Sequence, residues 1–292
     1  MPIVLRHCLT TALLLTSLGF AADQTPATGA TEHPAPPALT IPDSVTQVEA
    51  LSYVDGPGAD PVRHRLDLYL PNGAKDFPSV VFIHGGGYQR GDRRVGHNLG
   101  VVLAAHGVAV ASISYRLFPQ VRHPAQIEDV ARAVAWTIRQ IPTRGGDPRR
   151  VFVAGHSAGA HLASLLGTDG SYLQTHGLKP ADLAGILAIS GGYRINPIRK
   201  EVFGDEATMA AASPFAHLDG GHPPFLLLYG SLEKPERAAI SQELRDALEK
   251  TGTRATTQEI PDRDHQGLMD HIGEGDPTVA ALLAGIQHPG LR

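Results

Sequence analysis

The pentapeptide Gly155-His156-Ser157-Ala158-Gly159 sets a hydroxyl among small residues, directly after the apolar run Val151 to Ala154 and before the helical run Ala160 to Leu166. In a chain with 32 glycines two of them flanking a serine is a weak pattern, so its placement carries the argument. A serine forced into a sharp strand-to-helix turn crowds its neighbours. Small residues two before and two after are then a steric requirement, and the hydroxyl is held clear of the strand. A helix starting just beyond it favours developing negative charge. A second cluster, His84-Gly85-Gly86-Gly87-Tyr88, follows the apolar segment Ser79 to Ile83. Consecutive glycines let the backbone approach a ligand unobstructed and aim N–H groups at one point. Ser157 is therefore the candidate nucleophile of an acyl transfer, and Gly85, Gly86, Gly87 and Ala158 are the candidate oxyanion hole. Phosphate cradling is the competing use of such a loop, but no Lys-Ser or Lys-Thr follows the glycines and the GxGxxG spacing is absent. His84 reads as a structural hydrogen-bonding residue rather than a base.

These residues need a scaffold, and the chain alternates short apolar runs with helical patterns, as a mostly parallel sheet covered by helices on both faces does. Buried strands are expected at Val80 to Ile83, Val108 to Ser114, Val151 to Ala154, Leu183 to Ser190 and Phe225 to Tyr229. Arg65 to Leu70 alternates as a half-exposed strand and marks the expected edge of the sheet. Ala255 to Ile260 is a further strand. Ile127, Val130, Ala131, Val134, Ile138 and Ile141 recur at helical spacing between Pro124 and Pro142. A second helix starts at Pro235, buries Ile240, Leu244 and Leu248, and stops at Gly252.

A serine hydroxyl is a poor nucleophile at neutral pH and needs a base, whose tautomer a carboxylate fixes. On the expected α/β fold, with a serine in such a turn, the chain order is serine, acid, histidine. Glu233 stands on the loop after the strand Phe225 to Tyr229, and His265 follows the strand Ala255 to Ile260. Glu233 and His265 are the expected acid and base, with Glu236 and His271 as alternatives. Asp129, on the apolar-periodic helix, is assigned no chemistry.

Composition removes other classes of function. A formal net charge of -4 and few adjacent basic pairs, Arg93-Arg94 and Arg149-Arg150 among them, argue against nucleic acid. The 15 histidines include no HExxH, and His156 and His161 are five apart, which does not stack them on one helical face. No metal or cofactor is expected. The apolar run Leu9 to Phe20 after Arg6 and His7 reads as a signal peptide over residues 1–21, too short for a stable membrane anchor. The Pro-, Ala- and Thr-rich stretch 22–42 reads as a flexible linker, and 43–292 as one domain. A secreted or periplasmic protein is the expectation.

In these blocks the sequence resembles the α/β-hydrolase superfamily, in the branch of hormone-sensitive-lipase-like carboxylesterases, arylformamidases and isoprenylcysteine methylesterase-like proteins. The likeness runs from about Leu66 to His265. It is carried by His84-Gly85-Gly86-Gly87-Tyr88, Ser114-Tyr115-Arg116-Leu117-Phe118-Pro119, Gly145-Gly146-Asp147-Pro148 and the segment Gly155 to Leu162. The resemblance implies the α/β-hydrolase fold and a serine carboxylesterase acting on a small-molecule or saccharide ester, an acetyl or feruloyl ester among them. Hydrolysis of N-formylkynurenine is the alternative, disfavoured by export because that catabolism is cytoplasmic. A catalytically inactive secreted binding module is the alternative from another class. Three departures stand out: Glu233 where the family usually has Asp, Tyr88 where arylformamidases usually carry Trp, and Arg237 where Phe is common.

Overall fold

The computed structural model describes residues 36–288. The expected signal peptide and most of the expected linker lie outside them. Eight strands form one sheet: β1 (Val45–Ser52), β2 (Arg65–Pro71), β3 (Phe77–Ile83), β4 (Ala109–Ile113), β5 (Gly146–His156), β6 (Gly185–Ile189), β7 (Phe225–Gly230) and β8 (Ala255–Ile260). Their order is β1-β2-β4-β3-β5-β6-β7-β8, antiparallel at β1–β2 and β2–β4 and parallel elsewhere. Five longer helices are α1 (His97–Ala105), α2 (Ala125–Gln140), α3 (Ala158–Thr168), α4 (Pro235–Lys250) and α5 (Pro277–Gln287). This is the α/β-hydrolase architecture.

Every residue of β3, β4 and β6 is buried, because these strands carry helices on both faces. The strand period of two then divides their side chains: Val81 and Ile83 join the apolar cluster that includes α2 and α3, whereas Val80 and Phe82 join the one that includes α1 and α5. Each fully buried side chain of this size contributes about 1.5–3 kcal/mol. The two cores can therefore hold a few unfavourable backbone conformations where the strands end.

Two expectations change. The sheet does not end at β2, because β1 pairs outside it in antiparallel register. Nor is Ile240 fully buried on α4, whose buried apolar residues are Leu244 and Leu248. Residues 36–42, the end of the stretch read as a linker, lie against α1: Leu39 N–H donates to Asn98 Oδ1 at 2.9 Å, and His97 Nε2 lies 2.9 Å from Leu39 O.

The segment Ser114 to Pro119 links β4 to the site. Tyr115 is fully buried, stacks on the His84 ring at 4.4 Å and donates its hydroxyl proton to His84 O at 3.1 Å. Arg116 grips the buried Asp129 of α2 with Nε and Nη2 at 2.8 and 2.7 Å, and Arg132 Nη1 adds a third contact at 2.8 Å. Asp129 is thus a structural anchor for the loop behind the glycines.

The helix after Ser157 crosses β3 closely. A Cβ built on Gly159 would stand 2.0 Å from Ile83 O, and one on Gly155 would stand 2.3 Å from the Gly159 carbonyl carbon. Backbone cannot yield to such contacts without moving the turn. Gly159→Ala is expected to destabilise the fold by about 1–3 kcal/mol, the usual cost of overpacking, and to lower turnover as well. Urea denaturation and ester-hydrolysis rates measured on the same preparation check both effects.

Candidate active site

Between the end of β5 at His156 and the start of α3 at Ala158, Ser157 makes the turn alone, at φ 56° and ψ -114°. A non-glycine residue held there costs on the order of 1–3 kcal/mol. Hydrogen bonds help fix it: Ser157 N–H donates to Ile189 O at 2.9 Å and His161 N–H donates to Ser157 O at 3.1 Å. The hydroxyl is left at the carboxyl ends of the parallel strands, where sites on open α/β sheets gather.

Three neighbouring strands deliver the groups around it. His265, on the loop after β8, places Nε2 3.0 Å from Ser157 Oγ and Nδ1 3.0 Å from Glu233 Oε1. Glu233, on the loop after β7, folds back so that Gly230 N–H donates to its Oε2 at 2.9 Å. Ser190, just past the end of β6, donates to Glu233 Oε1 at 2.5 Å and stands 2.7 Å from His265 Nδ1. The longer glutamate side chain is thus held at both oxygens, and it reaches the imidazole. Glu233 is 4% exposed. Burial works to raise its carboxyl, but hydrogen bonds from His265, Gly230 N–H and Ser190 outweigh it and hold the pKa at about 2 against an ordinary 4.5. The carboxylate is ionised at any working pH.

The alternatives do not meet this geometry. His271 is exposed, with Nδ1 3.0 Å from Gly267 O, and Glu236 is exposed in the first turn of α4.

Sequence reasoning missed three contributors. Ser190 carries no local pattern, since its role depends on β6 lying beside β5 and β7. His156, read as part of the turn and set aside as a metal ligand, sends Nε2–H to His265 O at 2.8 Å, with its ring 4.7 Å from the His265 ring. Burial first, and then His265, push its pKa down to about 3, so it remains a neutral donor that ties the loop of His265 to the serine turn. Arg237, noted only as a departure, donates through Nη1 to Gly191 O at 2.6 Å and sets Nε 3.4 Å from Glu233 Oε1. Ser190→Ala removes one donor from Glu233 and is expected to lower kcat about tenfold, the loss of one hydrogen bond to a charged group. Steady-state kinetics with a p-nitrophenyl ester check this, with thermal unfolding as the control for folding.

The glycine loop turns back on itself, with Gln89 and Arg90 N–H donating to Gly86 O. Gly86, Gly87 and Tyr88 all have positive φ. Among the described residues no acceptor takes the amides of Gly86, Gly87 or Ala158. Gly87 and Ala158 reach the cavity that also contains Ser157, whereas Gly85 backs onto His156 and Ser157 and Gly86 onto the Arg90 carbonyl. His84 behaves as expected of a structural residue: it is fully buried, its Nδ1 lies 2.7 Å from Gly85 O, and burial lowers its pKa to about 4. The cavity has a volume of about 880 Å³ and is open to solvent, with Glu233 and His265 also in its wall. A hydroxyl, an imidazole, an ionised carboxylate and free amides at one concave place can attack a carbonyl and stabilise the oxyanion that forms.

The chain is similar to several known proteins. A family model described as BD-FAE matches residues 66–185. Kynurenine formamidase of Salmo salar is 28% identical over 233 residues, covering 75% of this chain and 76% of that protein. Isoprenylcysteine alpha-carbonyl methylesterase ICME of Arabidopsis thaliana is 28% identical over 236 residues, covering 72% of this chain. The chain spans 55% of that plant protein, little more than half its length. Among solved structures, esterase B of Lactobacillus rhamnosis superposes with a TM-score of 0.72 at 25% identity, covering 85% of this chain and 86% of that one. With its mostly parallel eight-stranded sheet and these likenesses to a formamidase, a methylesterase and an esterase, the chain has the α/β-hydrolase fold.

Proposed function

We propose that this chain hydrolyses carboxylic esters through an acyl-enzyme, with Ser157 as nucleophile, His265 as base and Glu233 as the acid of the triad. The observation that carries the reading is the unbroken chain of contacts from Ser157 Oγ to His265 Nε2 and from His265 Nδ1 to Glu233 Oε1, each 3.0 Å. His265 takes the serine proton as Oγ bonds to the ester carbonyl carbon, and Glu233 steadies the imidazolium. The amides of Gly87 and Ala158, the two candidate donors that reach the cavity, hold the oxyanion. Collapse breaks the ester C–O bond, and the leaving alcohol takes the proton from His265. Water, deprotonated by the same imidazole, then releases the acid and restores Ser157.

The favoured substrates are short-chain carboxylic esters and acetyl or feruloyl esters of saccharides. Such substrates suit the open cavity and the export expected from residues 1–21. No helix among the described residues is long and apolar enough to cross a membrane. A formamide reading is favoured by the likeness to a kynurenine formamidase, and it uses the same machinery. Hydrolysis of p-nitrophenyl acetate, acetylated xylan, a feruloyl saccharide and N-formylkynurenine by the purified chain separates the readings. Faster turnover of an ester is expected, and a clear preference for N-formylkynurenine would overturn the assignment.

A further inference from the structure

Four cationic side chains face the cavity around Ser157: Arg194, Arg199, Lys234 and Arg237. Three carboxylates, Glu233, Glu236 and Asp264, also line it, so the wall carries one excess positive charge on a chain whose formal net charge is -4. Two of the cations are committed. Arg194 pairs with Glu243 and lies 3.9 Å over the Phe215 ring, and Arg237 is held by Gly191 O and Glu233. Two of the carboxylates are committed as well, Glu233 to His265 and Asp264 to the Gly267 amide at 2.7 Å. Arg199 differs. Among the described residues no side chain or carbonyl pairs with its guanidinium.

Its position is also specific. A Cβ built on Gly87 would stand 3.0 and 3.1 Å from Arg199 Nη2 and Nη1, so the guanidinium packs directly against Gly87, on the side where any other residue would carry its side chain. Tyr88, the next residue, has its pKa raised mainly by burial and feels this arginine as a neighbouring positive charge. Arg199 is only partly exposed, and its planar fork is suited to two parallel hydrogen bonds with a carboxylate. A guanidinium without an anion beside an oxyanion-binding loop recruits one from the substrate, because its partial burial removes competing water.

We propose that Arg199 forms an anion subsite beside the Gly87 loop, and that the enzyme prefers esters carrying a carboxylate on the acyl or the alcohol part. This deepens the esterase reading and rests on it. The carboxylate takes no part in bond making; it fixes the ester with its carbonyl over Ser157. Lys234 stands on the same wall, also without a partner among the described residues, and adds charge without a fixed geometry.

The test compares matched pairs of esters. For the acyl side, the mono-p-nitrophenyl ester of adipic acid is paired with p-nitrophenyl hexanoate. For the alcohol side, 4-acetoxybenzoate is paired with its methyl ester. The readout is the ratio of kcat/KM for the charged ester to that for the neutral one, which cancels any general damage to the machinery. In the wild type one pair is expected to favour the charged ester, and that pair identifies the side on which the carboxylate sits. Arg199→Gln is expected to lower that ratio at least tenfold, chiefly through KM, and Arg199→Lys to keep part of it. Ratios unchanged by Arg199→Gln, or neutral esters preferred in both pairs by the wild type, would overturn the proposal. Hydrolysis of the neutral esters by the wild type keeps the esterase reading intact in either case, whereas failure to cleave any of the four would sink that reading itself.

Discussion

Ser157→Ala is expected to lower kcat on p-nitrophenyl acetate by about 10⁴- to 10⁶-fold, the range seen when a hydrolase loses its nucleophile. The size follows from the geometry. Among the described residues only Ser157 Oγ lies at 3.0 Å from His265 Nε2 and also at the wall of the cavity beside the free amides of Gly87 and Ala158. Removing it leaves the oxyanion donors and the base in place, which accounts for a small residual rate over water. Stability should change little, because the turn is held by backbone bonds, Ser157 N–H to Ile189 O and His161 N–H to Ser157 O, that alanine retains. Steady-state kinetics together with thermal unfolding measure the two halves of this expectation. Residual turnover within tenfold of wild type would assign the nucleophile elsewhere.

Glu233→Gln is expected to lower kcat by about 10³- to 10⁴-fold with the fold preserved. The amide matches the carboxylate in shape but lacks its charge, and it can present a donor where His265 Nδ1–H needs an acceptor. The base is then held in the wrong tautomer and its imidazolium goes unsupported. The same carboxylate contributes to stability, and the direction can be worked out. Its folded pKa, about 2, lies below the ordinary 4.5. Ionisation therefore favours the folded state fully above about pH 4.5, and the contribution fades as pH falls toward 2. At neutral pH it amounts to about 3 kcal/mol. Denaturant unfolding of wild type and Glu233→Gln between pH 3 and pH 7 should show a gap that narrows on the acid side. A gap constant across that range would contradict the assignment of its cause.

Much of the site was legible because its parts announce themselves locally. The glycines around Ser157 are there because Gly159 passes against Ile83 O and Gly155 against Gly159, constraints that leave a mark in five consecutive residues. The buried strands β3, β4 and β6 are short apolar runs, and α2 has a clean apolar face. The chain order of serine, acid and histidine then brought Glu233 and His265 forward from many carboxylates and 15 histidines.

What stayed hidden has physical causes. β1 is an edge strand in which Val45 alone is buried, and Ala50 breaks its alternation with a positive φ and an N–H given to Asp67 Oδ1 at 2.8 Å. A strand half in solvent with such an irregularity carries almost no pattern of two. α1 is the opposite case: His97–Ala105 is apolar over most of its circumference, and its Gly100 rests on the Tyr69 ring. Such a helix shows no polar face to set its period. Ser190, His156 and Arg237 depend on which strands and loops become neighbours, and a single strand end records nothing of that.

The central claim, that Ser157 is activated where it stands, is tested most directly by an alkyl fluorophosphonate followed by peptide mass spectrometry. The native protein is predicted to take up one phosphonyl group per chain, on the peptide containing Ser157, with ester hydrolysis lost in step. Protein unfolded beforehand should take up none there. An active native sample that leaves Ser157 unlabelled, or that carries the adduct on another residue, would contradict the account.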